Sequence, residues 1–289
     1  MSEPHVTPGT ARTLFLTAAA MLAFAANSLL CRRALGGDLI DAASFTSLRI
    51  LSGALMLAVI TAPRWRRRRP SLDWKAAAAL SAYMVFFSFA YLTLNAGTGA
   101  LLLFGAVQLT MFAAALQRGE RFTPLAWAGV LLAFAGLVYL LLPGLAAPDP
   151  VGAILMLVAG VSWGLYSLLG ASAEQPLMAT TGNFLLSIPV ALGLGLAFID
   201  AATVTATGLL LAVASGALAS GIGYAIWYAA LAGLSSGHAA TVQLSVPVIA
   251  ALGGVVLLAE PASLRLVVAS VLTLGGIWLV LSRRGREGV

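Results

Sequence analysis

The chain has little of what chemistry in water uses. Of its 289 residues one is a cysteine, Cys31, and two are histidines, His5 and His238. A single cysteine excludes an internal disulfide and leaves no thiolate cluster for a metal; it reads as a small apolar helix residue. Acidic residues number ten, and the sole lysine, Lys75, follows a run of arginines. Charged side chains make up 9% of the chain and hydrophobic ones 61%, whereas a soluble domain carries about 25% charged residues. Such a chain cannot cover its surface for water. Between the few charges run apolar stretches of about 20 residues, which as helices rise about 30 Å, the thickness of the hydrocarbon core. The chain reads as an all-α integral membrane protein.

Ten spans are predicted, over 13–31, 40–61, 75–94, 98–117, 124–142, 151–171, 178–198, 207–230, 238–258 and 264–282. Turn signals such as Pro143-Gly144 and Pro148-Asp149-Pro150 separate them. The loops are too short for a soluble domain. Basic residues set the orientation. With the N-terminus in the cytoplasm, Arg12, the run Arg64 to Arg69 with Lys75, Arg118, Arg121, Arg283, Arg284 and Arg286 all fall inside. Arg32, Arg33 and Arg265 fall outside, and Arg49 lies within a span. Both termini are therefore expected in the cytoplasm, which suits an even number of spans. The net charge of +6 is topology and not a nucleic-acid surface. Arginine-heavy, alanine-rich usage is that of a GC-rich bacterial genome, so the expected location is the inner membrane, multi-pass.

The chain also repeats itself. Glu120–Leu141 aligns without gaps to Glu260–Leu281, with Gly136 opposite Gly276, and "FAANSLL" at 24–30 matches "WGLYSLL" at 163–169. Five spans per copy is an odd number, so the second copy must be inverted. The expected units are 1–145 and 146–289, joined in one bundle. Inverted repeats place a binding site near the midplane, at the repeat interface, and rocking of the halves alternates access. Because its match lies in the sixth span, the first apolar stretch is a structural helix and not a cleaved leader.

One stretch spells a hydrolase motif. "GLSSGHAA" at 233–240 carries Gly233, Ser235 and Gly237 in the spacing of a nucleophile elbow, with His238 after it. That elbow needs a strand before the turn and a helix after it, and no strand is predicted. The repeat mate, "LNAGTGALL" at 94–102, keeps small turn residues but neither serine nor histidine. The stretch reads as a turn between helices, with Ser235 chemically idle. An intramembrane enzyme would need a nucleophile–base pair or paired carboxylates, a retinal protein a mid-span lysine, and a channel a filter repeat. None is present in the sequence.

The order of these features resembles the drug/metabolite transporter superfamily, specifically the EamA-type permeases. The carriers are "RGERFTP" (118–124) and "LAEPASL" (258–264), "SWGLYSLL" (162–169) with its degraded mate "AFAANSLL" (23–30), and Arg49 in "FTSLRILSGALML" (45–57). One departure is that the second half keeps Val246-Pro247 where the first reads Ala106-Val107-Gln108. Within the superfamily the chain most resembles the YddG-type exporters of aromatic and other neutral amino acids. The resemblance implies an inner-membrane exporter of small neutral metabolites, no cofactor, and lipids as the surrounding partner. Another metabolite or drug class is the alternative. Substrate, energy coupling and oligomeric state stay open.

Polar groups within a span are costly and face the bundle interior. Asn27, Gln108, Gln243 and Ser245 are the neutral ones, each suited either to a substrate or to gluing two helices. Aromatic residues recur on the third, sixth and eighth helices: Tyr83, Phe86, Phe87 and Tyr91, then Trp163 and Tyr166, then Tyr224, Trp227 and Tyr228. In the family these helices, with the first, fourth and ninth, surround the central cavity. The predicted substrate site therefore comprises Asn27, Tyr83, Phe86, Gln108, Trp163, Tyr224, Trp227 and Gln243. No metal site is expected. Arg49, if it faces inward, needs an anionic or carbonyl partner.

Overall fold

The computed structural model describes residues 8–66, 69–144, 147–234 and 236–284. Ten apolar helices account for most of them: α1 Pro8–Leu35, α2 Ala42–Thr61, α3 Trp74–Ala90, α4 Ala96–Gln117, α5 Pro124–Leu141, α6 Pro150–Gly170, α7 Pro176–Ala197, α8 Ala206–Leu231, α9 His238–Leu258 and α10 Leu264–Arg284. Nine have at least 18 residues and α3 has 17, about 26 Å at 1.5 Å per residue and still able to cross. The only extended pairing among the described residues is a lone bridge between Ile40 and Val204.

Capping side chains mark the breaks. Asp41 accepts from the Ser44 amide, Asp73 from Lys75 and Ala76, Thr123 from Ala126, Asp149 from Gly152 and Thr205 from Gly208. Each satisfies amides that a helix start leaves unpaired. Pro124 and Pro150 follow at the first helical position, where the missing N–H is no loss. Two ends differ from expectation. Helix α1 continues past Cys31 to Leu35, because the Arg32 side chain finds a carboxylate and two carbonyls. Helix α3 stops at Ala90, where Tyr91 turns and donates its hydroxyl to the Ala96 carbonyl.

Three spans are interrupted. Helix α7 breaks at Ser187, two residues before Pro189, which cannot donate to the Leu185 carbonyl. Helix α9 breaks after Val242 for the same reason: Pro247 cannot reach Gln243, whose carbonyl takes the Val246 amide instead. Helix α8 winds as a π-helix over Ala214–Ile222, a form that concentrates at functional sites.

Packing repeats the internal symmetry. If helix n of the first half matches helix n+5 of the second, the contact α3–α6 becomes α8–α1, α4–α6 becomes α9–α1, and α2–α8 becomes α7–α3. All six contacts are present, as are the self-matched pairs α2–α7, α4–α9 and α5–α10. Ala133 and Thr273, equivalent positions 140 apart in the sequence alignment, meet where α5 crosses α10; the Thr273 hydroxyl donates to the Ala133 carbonyl at 3.4 Å. There α5 and α10 touch backbone to backbone. A Cβ on Gly276 would strike the Gly129 carbonyl and the Ala133 backbone, and one on Gly129 the Gly276 carbonyl. Small residues permit that approach.

Outside the bundle Leu14, Leu22, Leu131, Phe134, Leu196, Leu210, Val256 and Trp278 are exposed. Large apolar side chains all around a helical bundle need lipid and not water as solvent. The chain is a multi-pass membrane protein. We call the end where α1 begins and α10 finishes the terminal face, and the end with loops 36–41, 91–95, 198–205 and 259–263 the opposite face.

Candidate functional site

Six helices converge on a small cavity near the middle of the bundle. Its wall takes Asn27, Phe24 and Ser28 from α1, Tyr83 and Phe87 from α3, Leu103 and Phe104 from α4, Trp163 from α6, Ser220 and Tyr224 from α8, and Gln243 from α9. The volume is about 30 Å³. A buried water needs at least about 10–15 Å³, whereas pockets for drug-sized ligands run from about 300 Å³. As it stands the cavity holds water-sized molecules, and an organic solute requires the walls to part.

Aromatic faces dominate the wall. Trp163 and Tyr224 stack at 5.7 Å with their planes 18° apart, and the Tyr83 ring lies 4.8 Å from that of Trp163, tilted by 51°. Phe87 packs against Tyr83 at 5.3 Å and Phe24 against Tyr224 at 5.9 Å. Polar groups are few and joined. The Ser215 hydroxyl, in the π-helical turn, donates to Asn27 Oδ1 at 2.6 Å, and Asn27 Nδ2 donates to the Tyr83 hydroxyl at 3.4 Å. Arg49 Nη2 donates to the same hydroxyl at 3.1 Å. Gln243 Nε2 donates to the Ala239 carbonyl within its own helix. The arrangement offers broad apolar faces, one amide cluster and a cation directly behind Tyr83.

Each half builds a polar triad from its first three helices. In the first half it is Asn27, Arg49 and Tyr83. In the second it is Tyr166, Thr180 and Tyr228, with Thr180 bonded to both phenols at 3.1 and 2.8 Å. Tyr166 stands opposite Asn27 in the alignment of 24–30 with 163–169. The second triad is neutral, whereas the first contains a charge.

Of the eight residues predicted for the site, the fold brings Asn27, Tyr83, Trp163, Tyr224 and Gln243 to the cavity wall. Trp227 sits one turn away, edge-on to Phe24 at 6.0 Å. Phe86 and Gln108 are half-buried and are not part of the wall; Gln108 lies one turn beyond Phe104 on α4. Sequence reasoning did not single out Phe24, Ser28, Ser215 or Ser220, and it named Phe87 in the aromatic stripe of α3 without adding it to the site. It singled out Arg49 without finding its partner. Ser235 lies outside the described residues, and His238 is exposed at the start of α9.

The opposite face is tied shut. Arg32 Nε forms an ion pair with Glu260 Oε1, and Arg32 Nη1 donates to the Tyr91 and Leu92 carbonyls. Glu260 takes the Ala96 amide on both oxygens, at 3.1 and 2.9 Å, a carboxylate at the positive end of α4. Arg265 donates to the Leu142 and Pro143 carbonyls, Thr93 to Asp149, and Asp41 accepts from the Thr203 amide. Extending the 24–30/163–169 alignment puts Ala171 at the position of Arg32.

Comparison with known proteins places these features in context. The model of the EamA-like transporter family matches residues 11–142 and again 150–282. An uncharacterized protein of Pseudomonas aeruginosa is 55% identical over 282 residues, spanning 96% of this chain and 98% of that protein. An "uncharacterized transporter" of Archaeoglobus fulgidus is 29% identical over 213 residues, 71% of this chain and 75% of its own length. A "probable terminal-alkyne amino-acid exporter" of Streptantibioticus cattleyicolor is 29% identical over 257 residues, 83% of each chain. A solved crystal structure superposes with a TM-score of 0.68 over 96% of this chain and 99% of that one. At 21% identity that likeness concerns the fold.

Proposed function

The chain belongs to the EamA-like transporter family, and from that premise we propose that it exports small neutral metabolites from the cytoplasm, aromatic and other large neutral amino acids first among them. The observation that carries this reading is the cavity where Trp163, Tyr224 and Tyr83 meet Asn27 and Gln243 between the two inverted halves. An aromatic slot takes an apolar side chain with its face, and an amide supplies both a donor and an acceptor to the solute's polar end. The similarity to an amino-acid exporter supports the same class. Among the described residues nine basic ones, Arg12, Arg64, Arg66, Arg69, Lys75, Arg118, Arg121, Arg283 and Arg284, fall at the terminal face against Arg32, Arg33 and Arg265 at the other, which supports a cytoplasmic terminal face. The halves then rock about the Ala133–Thr273 contact, so that the solute meets one face at a time. Specificity is loose, because an apolar pocket discriminates one methylene by only about 1–3 kcal/mol.

The test is release from whole cells. Bacteria expressing the chain and fed a phenylalanine-containing dipeptide should shed free phenylalanine several-fold faster than controls and should tolerate a toxic phenylalanine analogue better. If neither changes while the protein sits in the inner membrane in normal amount, the amino-acid reading fails.

A further inference from the structure

Arg49 stands midway along α2 and is 1% exposed. One of its nitrogens, Nη2, donates to Tyr83. The other two, Nε and Nη1, are buried and have no hydrogen-bond acceptor among the described residues. The guanidinium carbon lies 4.8 Å from the Phe87 ring centroid and 5.3 Å from that of Tyr83, two rings that also line the cavity. An arginine cannot shed its proton to relieve burial, and a lone ion in an apolar interior is costly even after relaxation. Two aromatic faces and one hydrogen bond from the charged group offset part of that cost. The charge is therefore only partly compensated, and the donors left over point to an anion.

The second half joins the polar groups of its first three helices, Tyr166, Thr180 and Tyr228, with no ion. Arg32, at the end of α1, already has Glu260. What differs at Arg49 is its place behind Tyr83, whose hydroxyl it shares with Asn27. A cavity of 30 Å³ must widen to take a solute, and a shift of the Tyr83 ring uncovers the guanidinium.

We propose that Arg49 is the carboxylate-binding residue of the transport site. Resting on the reading that the cavity beside Tyr83 is that site, it fixes the solute class as one with a free carboxylate. Each unpaired nitrogen shares an edge of the planar guanidinium with Nη2, so a carboxylate on one edge takes two parallel hydrogen bonds, one from Nη2 and one from Nη1 or Nε. A zwitterionic α-amino acid then lies with its carboxylate on Arg49 and its ammonium toward the Trp163–Tyr224 stack, where cation–π attraction holds it. Amines and amides of the same shape lack the anion and bind poorly.

The experiment uses the full chain in proteoliposomes and in detergent, with L-phenylalanine, L-phenylalaninamide and 3-phenylpropionate as probes. On the wild type, counterflow of radiolabelled phenylalanine should be inhibited at least tenfold more weakly by the amide than by the acid. Arg49→Gln should weaken phenylalanine at least tenfold and the amide less than threefold, and Arg49→Lys should fall between. The wild-type comparison stands even if a variant fails to fold. Equal inhibition by acid and amide overturns the assignment while leaving the amino-acid reading intact. If phenylalanine is not carried but 3-phenylpropionate raises the melting temperature of the wild type and not of Arg49→Gln, the assignment holds and the amino-acid reading falls. If neither carboxylate binds, the assignment is wrong.

Discussion

Arg32 Nε lies 3.2 Å from Glu260 Oε1, joining the end of α1 to the turn between α9 and α10. The same two side chains hold the 91–92 carbonyls and the Ala96 amide, so one ion pair ties α1, α3, α4 and α9 together at the opposite face. Rocking open on that side has to break it. Charge-assisted hydrogen bonds of this kind are worth about 1.5–3 kcal/mol each at most, less where partly exposed. A loss of about 1 kcal/mol shifts a two-state population roughly fivefold. Arg32→Ala should therefore favour opening of this face. The native Cys31, fully buried beside Arg32, reports it: a membrane-impermeant thiol reagent should label the variant several-fold faster than the wild type. Equal labelling would mean that the pair does not hold the face closed.

The α5–α10 contact should be the least tolerant of volume. Gly276→Ala pushes a methyl group against the Gly129 carbonyl and the Ala133 backbone, and overpacking of this kind costs about 1–3 kcal/mol. Gly275→Ala, with nothing within 4 Å of its added Cβ, gains helix propensity and should be harmless. Melting temperatures in detergent separate the two. A neutral Gly276→Ala would contradict the tight crossing.

Asp41 links loop stability to pH. Partial burial opposes its charge, but hydrogen bonds from the Ser44 and Thr203 amides outweigh that and hold its pKa below the usual carboxylate value. A folded pKa below the unfolded one gives stability that is present above the unfolded value and lost as pH falls through the folded one. Asp41→Ala, which removes the capping oxygen, should lower stability by about 1 kcal/mol at pH 7. The gap between variant and wild type should close below about pH 3.9, the ordinary aspartate value. A gap unchanged down to pH 3 in thermal melts would show that the ionised carboxylate is not what stabilises the loop.

The ten-helix plan was legible because apolar runs and the turn and charge breaks between them are local signals; the capping side chains Asp41, Asp73, Thr123, Asp149 and Thr205 fall in those breaks. The inversion followed from counting spans between two alignable segments. At the site, Asn27, Tyr83, Trp163, Tyr224 and Gln243 were legible because large or polar side chains within spans are few. Gln108 shows what was not. Residues 99–107 of α4 are buried on every side, so no polar face reveals which way the helix is turned. The π-helical stretch of α8 shifts the phase between its ends, which a count of 3.6 residues per turn does not anticipate. Arg49 was visible as a mid-span charge, but its Tyr83 partner is 34 residues away and depends on how α2 and α3 pack.

Position in the cavity should decide which predicted residues matter to transport. Gln243→Ala removes a wall residue and should change the apparent affinity for phenylalanine several-fold. Gln108→Ala, away from the wall, should stay within twofold. Competition curves for each variant in proteoliposomes give the comparison, and the reverse ranking would move the site toward α4.

Counterflow of radiolabelled L-phenylalanine by wild type, Trp163→Ala and Trp278→Ala, reconstituted at equal density, tests the central claim most directly. Trp163 stacks on Tyr224 in the cavity wall, whereas Trp278 is exposed on the outside of α10. Losing one buried aromatic contact face of about 2 kcal/mol corresponds to roughly thirtyfold in binding. The expected result is uptake by wild type and Trp278→Ala alike, and at least a tenfold loss in Trp163→Ala with its melting temperature retained. Normal uptake by a folded Trp163→Ala would contradict a transport path through this cavity.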